Sequence, residues 1–247
     1  MDLKLADKTF IVTGGTDGLG LATAKCLIAE GANVLLTGRT EEKFVRAQAA
    51  LGARADRIAF LSGDNADAEL PARLQAAVME RWGQLDGLLV SVGGPPAGKA
   101  LTTDDDAWRG AFESVFLGAV RLVRDLSAVM SDGGAIALVL AVSAKEAAPT
   151  FPISSGLRPG LALLAKNFAD ELGARNIRIN ALLPGMFGTE RVKHLLENKE
   201  PPTSNLALKR IGDPAEFGRM AAVLLSSAAS YVTGAAIGID GGHLKFL

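Results

Sequence analysis

The chain has 247 residues, 49% of them apolar and 21% charged, with a formal net charge of -1. That balance supports a large buried core and excludes a nucleic-acid or membrane surface acting through bulk charge. No apolar run approaches the roughly 18 residues of a membrane span, and the charged start Met1-Asp2-Leu3-Lys4-Leu5-Ala6-Asp7-Lys8 lacks a signal-like apolar region, so a cytoplasmic protein is expected.

Strands and helices alternate along the chain. Residues 9–13 read as a β-rich strand and 19–30 as a helix, which Gly31 closes. A strand at 33–37 precedes a helix from about 41 to 53, and strands at 58–62 and 85–91 flank a helix that includes 70–81. One long helix is predicted over about 105–130, capped by Thr103-Asp104-Asp105. A strand at 134–141, a helix at 161–172 and strands at 177–183 and 236–239 complete the pattern. Near-continuous apolar strands separated by helices predict an α/β fold: a Rossmann-like, doubly wound parallel sheet covered on both faces, forming a single domain over 1–247. The least regular stretch, about 185–208, carries Pro201-Pro202 and several charges and is expected to be a mobile substrate lid. The single cysteine, Cys26, fits a small core residue. Two histidines, His194 and His243, have no clustered partners, so no metal site is expected.

The first strand runs into the first helix through Thr13-Gly14-Gly15-Thr16-Asp17-Gly18-Leu19-Gly20. Glycines there let the backbone turn tightly and approach a pyrophosphate, whose charge meets the amide N–H groups opening the helix. Gly14, Thr16, Asp17, Gly18, Leu19 and Gly20 are therefore expected to hold a dinucleotide. The second strand ends at Thr37-Gly38-Arg39-Thr40. A carboxylate at that point would hold a ribose 2′-hydroxyl and repel a 2′-phosphate, whereas Arg39 and Thr40 suit the phosphate. NADP is expected over NAD, with Asp17 the residue that argues the other way.

Further matches make the whole chain resemble the short-chain dehydrogenase/reductase family. They are Asp64-Asn65 after the third strand, Ser91-Val92-Gly93-Gly94 at the end of the fourth, and Pro184-Gly185 with Thr189 after the sixth. Ala229-Ser230-Tyr231-Val232-Thr233-Gly234 and Asp240-Gly241-Gly242 match the family's C-terminal signature. The resemblance implies Asp64 against the adenine, with Asn65, Ser91, Gly93, Gly94, Pro184, Gly185 and Thr189 completing the cofactor site. It also implies a homo-oligomer, dimer or tetramer, and makes Tyr231, the chain's single tyrosine, a scaffold residue.

In that family a tyrosine exchanges the proton as hydride moves, and a lysine four residues on lowers its pKa and holds the nicotinamide ribose. A serine thirteen residues before the tyrosine polarises the carbonyl, and an asparagine on the long helix completes a water relay. Leu164-Ala165-Lys166-Asn167-Phe168-Ala169-Asp170-Glu171-Leu172 fixes the register. It puts Ser154 at the tyrosine position, Arg158 at the lysine position, and Ala141 at the serine position with Ser143 two residues on. Trp108 and Gly118 put Val115 at the asparagine position. On this register all four residues are replaced. A serine hydroxyl is far less acidic than a phenol of pKa ~10, and a guanidinium does not act as a base. Arg158 still suits ribose hydroxyls and developing negative charge, so it is expected in both the cofactor and the catalytic site. Pro159 places the start of its helix later than in relatives.

Ser143 and Lys145, in the loop after the fifth strand, are the substitute candidates. Lys145 reads either as an acid with a depressed pKa beside Arg158 or as a surface lysine of Ser143-Ala144-Lys145-Glu146. His194 reads as a lid group or a solvated helix residue, and His243 as an interface residue. Met186, Phe187, Leu195 and Leu196 give the lid an apolar character. The expected function is an NADP(H)-dependent oxidoreductase acting on a small-molecule carbonyl/alcohol pair, ketoacyl-reductase-like, with a non-standard proton donor. The alternative is a catalytically silent NADP-binding regulator or non-catalytic subunit.

Overall fold

The buried Val/Ile/Leu runs pair side by side, as near-continuous apolar strands must. In the computed structural model, which describes residues 2–52, 55–91, 93–197 and 201–245, seven strands form one sheet. They are β1 (Thr9–Val12), β2 (Asn33–Gly38), β3 (Ile58–Ser62), β4 (Gly87–Val90), β5 (Ala135–Val139), β6 (Arg178–Pro184) and β7 (Ala236–Ile239). Their spatial order is β3-β2-β1-β4-β5-β6-β7, every pair parallel.

Among the described residues the α-helices are α1 (Gly18–Ala29), α2 (Glu41–Leu51), α3 (Leu70–Trp82), α4 (Asp105–Ala111), α5 (Gly118–Val129), α6 (Pro152–Leu172), α7 (Glu190–Leu196) and α8 (Pro214–Leu225). Strand side chains alternate between the faces. Ile11, Leu35 and Leu88 pack with Leu74 of α3, Leu122 of α5 and Leu161 of α6. Phe10, Val34 and Leu89 pack on the other face with Leu27 of α1 and Phe217 of α8, beside the half-buried Cys26. The result is a single doubly wound α/β domain. Among the described residues no helix is long and apolar enough to cross a membrane, and no acidic, cysteine or histidine cluster could hold a metal.

Three departures from the sequence reading bear on the site. The helix predicted over 105–130 is interrupted: residues Phe112–Leu117 form a π-helical stretch between α4 and α5, the widened turn that often sits at functional sites. The helix expected to begin at 161 begins at Pro152, and Pro159 lies inside it with its ring exposed. Tertiary packing holds the segment helical: a Cβ on Gly156 would meet the Trp108 ring at 2.9 Å, and one on Gly160 the Phe116 ring at 3.0 Å. The irregular 185–208 stretch contains α7, and α8 follows it; of the stretch, 198–200 lie outside the described residues.

Candidate functional site

Parallel strands deliver their C-terminal ends to one edge, and order reverses between β1 and β4, where α/β sheets bind ligands. The Thr13 hydroxyl ties that point together. It donates to the Ser91 carbonyl and accepts from the Ser91 amide, both at 2.9 Å. Asn65 Nδ2 reaches it at 3.5 Å, while Gly14 N–H donates to Thr37 Oγ1 at 3.2 Å. Four strand ends are thus linked around the glycine turn. Gly14 has φ +57, and a Cβ there would stand 2.6 Å from the Ser91 carbonyl oxygen, so only glycine fits. Helix α1 then opens toward the turn, with Asp17 accepting from Gly18 N at 2.7 Å.

A cleft of about 780 Å³ runs along this edge. Of the expected cofactor residues, Gly14, Thr16, Asp17, Gly18, Leu19, Arg39, Asp64, Asn65, Ser91, Gly93, Gly94, Pro184, Gly185 and Thr189 line it. Gly20 and Thr40 do not. Gly20 lies under the turn, where a Cβ would overlap the Gly14 carbonyl, and Thr40 is the residue before α2. The cradle fits a dinucleotide: a tight turn through Gly14 and Gly15, amides at a helix start, and cations on the β2 side. Those cations are Arg39 and Lys43, the latter 3.9 Å from Asp17. Sequence reading missed Lys43 because it lies inside α2, a turn beyond the strand-end motif.

The β5 side of the cleft is lined by Val115, Ala141, Ser154 and Arg158, the four positions assigned to the tetrad. Val115 comes from the π-helical stretch, while Ser154 and Arg158 stand one turn apart on α6. Ser143 sits behind Ser154, its hydroxyl 2.8 Å away, and both are buried. Arg158 is buried too, with Nη1 donating to the Val139 carbonyl at 3.2 Å and Nε without a partner. Burial first, and the Arg191 charge second, push its guanidinium down to about 10.

Lys145 is not part of the lining: it follows the short turn Val142–Ala144 and its side chain is exposed. Its backbone N–H, bonded to the Val142 carbonyl at 2.9 Å, closes that turn. His194, exposed on α7, and His243 also lie outside the lining, whereas Phe187 and Leu195 belong to it and Met186 and Leu196 do not. Arg191 was missed by sequence reading. It sits in the first turn of α7, which Thr189 caps by accepting from Val192 N at 3.3 Å. The spacing Thr-x-Arg after Pro184-Gly185 was the available signal.

With that geometry in view, a family model described as Enoyl-(Acyl carrier protein) reductase matches residues 14–243. Dehydrogenase/reductase SDR family member 4 of Oryctolagus cuniculus is 32% identical, over 96% of this chain and 94% of its own. A solved short-chain dehydrogenase/reductase, Glucose/ribitol dehydrogenase from Brucella melitensis, superposes with TM-score 0.94 at 28% identity, covering 100% of both chains. L-sorbose reductase from Gluconobacter frateurii, solved with NADPH and L-sorbose, gives 0.90 at 28% identity over 100% of both. The chain belongs to the short-chain dehydrogenase/reductase family of oxidoreductases.

Proposed function

We propose that the protein is an NADP(H)-dependent oxidoreductase that interconverts a carbonyl and an alcohol with an altered proton donor. The observation that carries this reading is the polarity of the cleft: Arg39 and Lys43 on the β2 side, Ser154 and Arg158 on the β5 side. The first pair suits a 2′-phosphate. A nicotinamide bound along the cleft would supply or take up hydride. Ser154 Oγ–H and the Arg158 guanidinium polarise the carbonyl and stabilise negative charge on its oxygen. Ser143 holds the Ser154 hydroxyl in place at 2.8 Å. The proton reaches the oxygen from water through this hydroxyl pair, since Lys145 stands outside the cleft. Residues 185–208 act as the lid, with α7 closing over the β5 side. Copies associate through the face that leaves Phe112 43% and Leu163 66% exposed.

Purified protein, NADPH and a broad carbonyl panel test the reading. NADPH consumption is expected, with Ser154→Ala slowing turnover by about 10²-fold or more, the scale of a lost transition-state donor. Tight NADPH binding with no turnover across the panel would replace it with the second reading, a silent NADP-binding regulator or subunit. Val115 favours that second reading, because an apolar side chain there cannot relay a proton.

A further inference from the structure

Besides Arg39, two guanidinium groups line the cleft, Arg158 and Arg191, and among the described residues no carboxylate pairs with either. Arg158 is 4% exposed; its one hydrogen bond uses Nη1, and Nε is buried without a partner. Arg191, an exposed residue of α7, reaches the cleft near enough for its charge to act on Arg158. Its Nη2 donates to the Pro95 carbonyl at 3.0 Å and lies against Gly94, where a Cβ would stand 2.6 Å away. Both side chains line the cleft. The acids that also line it are committed elsewhere. Asp17 caps α1 and faces Lys43, Asp64 accepts from Ala66 N at 3.0 Å, and Asp106 pairs with Arg109 at 3.0 Å.

A buried guanidinium without an anion carries an uncompensated desolvation penalty, which a ligand anion would offset. With Nη1 occupied and Nε buried, Nη2 is the Arg158 donor left to face a ligand. Together with the Arg191 guanidinium it offers donors to two neighbouring oxygens. An α-keto acid presents such a pair, its reacting carbonyl oxygen beside one carboxylate oxygen, and turns its other carboxylate oxygen outward. Ser154, a turn before Arg158, reaches the same carbonyl oxygen, while Val115, Ala141 and Leu195 offer apolar walls to the remainder.

We infer that Arg158 and Arg191 form an anion clamp, and that the substrate is an α-keto acid or the matching α-hydroxy acid, its carboxylate held between them. The inference rests on the oxidoreductase reading and names its substrate class.

Calorimetric titration of the full chain with oxamate, an unreactive α-keto acid isostere, tests it, with and without saturating NADPH. Acetone serves as the neutral control and methylphosphonate as the phosphoryl control. Oxamate is expected to bind at least about tenfold tighter than either control, as a charge-assisted pair in a desolvated site requires. Arg191→Gln should weaken oxamate by about tenfold or more while leaving NADPH affinity within about threefold. Arg158→Lys, which keeps the charge and loses the planar guanidinium, should weaken oxamate similarly. Arg158→Met should raise the melting temperature of the free protein and abolish the further rise that oxamate gives.

Oxamate binding no tighter than acetone, or weaker than methylphosphonate, overturns the clamp. So does an Arg191→Gln variant that loses NADPH affinity as much as oxamate affinity, because Arg191 would then serve the cofactor's pyrophosphate. Protein that binds oxamate through both arginines but not NADPH keeps the clamp and loses the redox reading. Protein that binds NADPH and not oxamate loses the clamp alone.

Discussion

Arg39 has no ion pair among the described residues and lines the cleft where β2 ends, so its charge is free for a ligand. In the proposed reading it selects the cofactor. Arg39→Ala is expected to weaken NADPH about tenfold or more, the ~1.4 kcal/mol scale of one exposed charge-assisted contact, and to leave NADH affinity nearly unchanged. Equilibrium titration of cofactor fluorescence checks both. Asp17→Ser should strengthen NADPH binding, since it removes a carboxylate from beside Lys43. Arg39 was legible from the strand-end motif, but Lys43 becomes a neighbour only once α2 folds back toward that end. A second residue, Glu216, sets part of the acid stability. Its carboxylate accepts from both Arg210 terminal nitrogens at 2.8 Å and from Asp213 N at 2.8 Å, which holds its pKa down to about 2. A depressed carboxylate contributes stability above its unfolded pKa of ~4.3 and loses it as pH falls toward the folded value of about 2. Unfolding measured from pH ~5 to ~2 should therefore steepen less for Glu216→Gln than for the parent chain.

At the scale of elements, the π-helical stretch Phe112–Leu117 is the feature that most alters the site, because it delivers Val115 to the cleft. It was not legible. Apolar spacing predicts a helix across 105–130 whether or not one turn holds an extra residue, so the interruption leaves no mark in periodicity. Pro159 misled for a related reason: the penalty for an interior proline is real, but burial of Ser154 and Arg158 on one face and the fit of Gly156 to Trp108 outweigh it. Helix α8, which sequence reading also missed, did leave a mark, Asp213-Pro214-Ala215-Glu216, whose capping box forms in full. The junction after the π stretch yields a sharp test. Gly118 opens α5, and a Cβ on it would overlap the Asn65 carbonyl oxygen in the loop after β3. Gly118→Ala must push that loop away, and overpacking of this kind costs on the order of 1–3 kcal/mol. Asn65 lines the cleft, so cofactor affinity should fall along with the denaturation midpoint. A loss of stability at unchanged affinity would show that the loop yields without moving its cleft residues.

Across the whole molecule, legibility follows burial. The five inner strands of the parallel sheet are buried almost throughout, so each leaves an apolar run that sequence reading finds without knowing its neighbours, and the half-buried edge strands β3 and β7 keep enough of one. The cleft is the opposite case: its walls come from residues as far apart as Gly14 and Leu195, and only strand order brings them together. The segment proposed as a lid stands between these extremes, because its helix α7 has no buried residue and its sequence signal is weak. Segment 185–208 is tied to the body at both ends, by the Phe187–Gly212 bridge and by Leu208 N–H to the Gly241 carbonyl at 3.0 Å. Between those ties α7 presents Thr189, Arg191 and Leu195 to the cleft while most of its surface stays exposed. A ligand lying along the cleft would contact both the rigid strand ends and this segment, so binding should order the second against the first. At about 100-fold excess over Kd, NADPH should stabilise the fold by ~2.7 kcal/mol, a rise in Tm of roughly 5–10 °C for a domain of this size. Limited proteolysis separates global from local protection. If the lid closes on the cofactor, NADPH should slow cleavage within 185–208 more than the rise in global stability accounts for. Equal slowing at all sites would mean that the lid stays open over the bound cofactor, leaving closure to the substrate through Arg191.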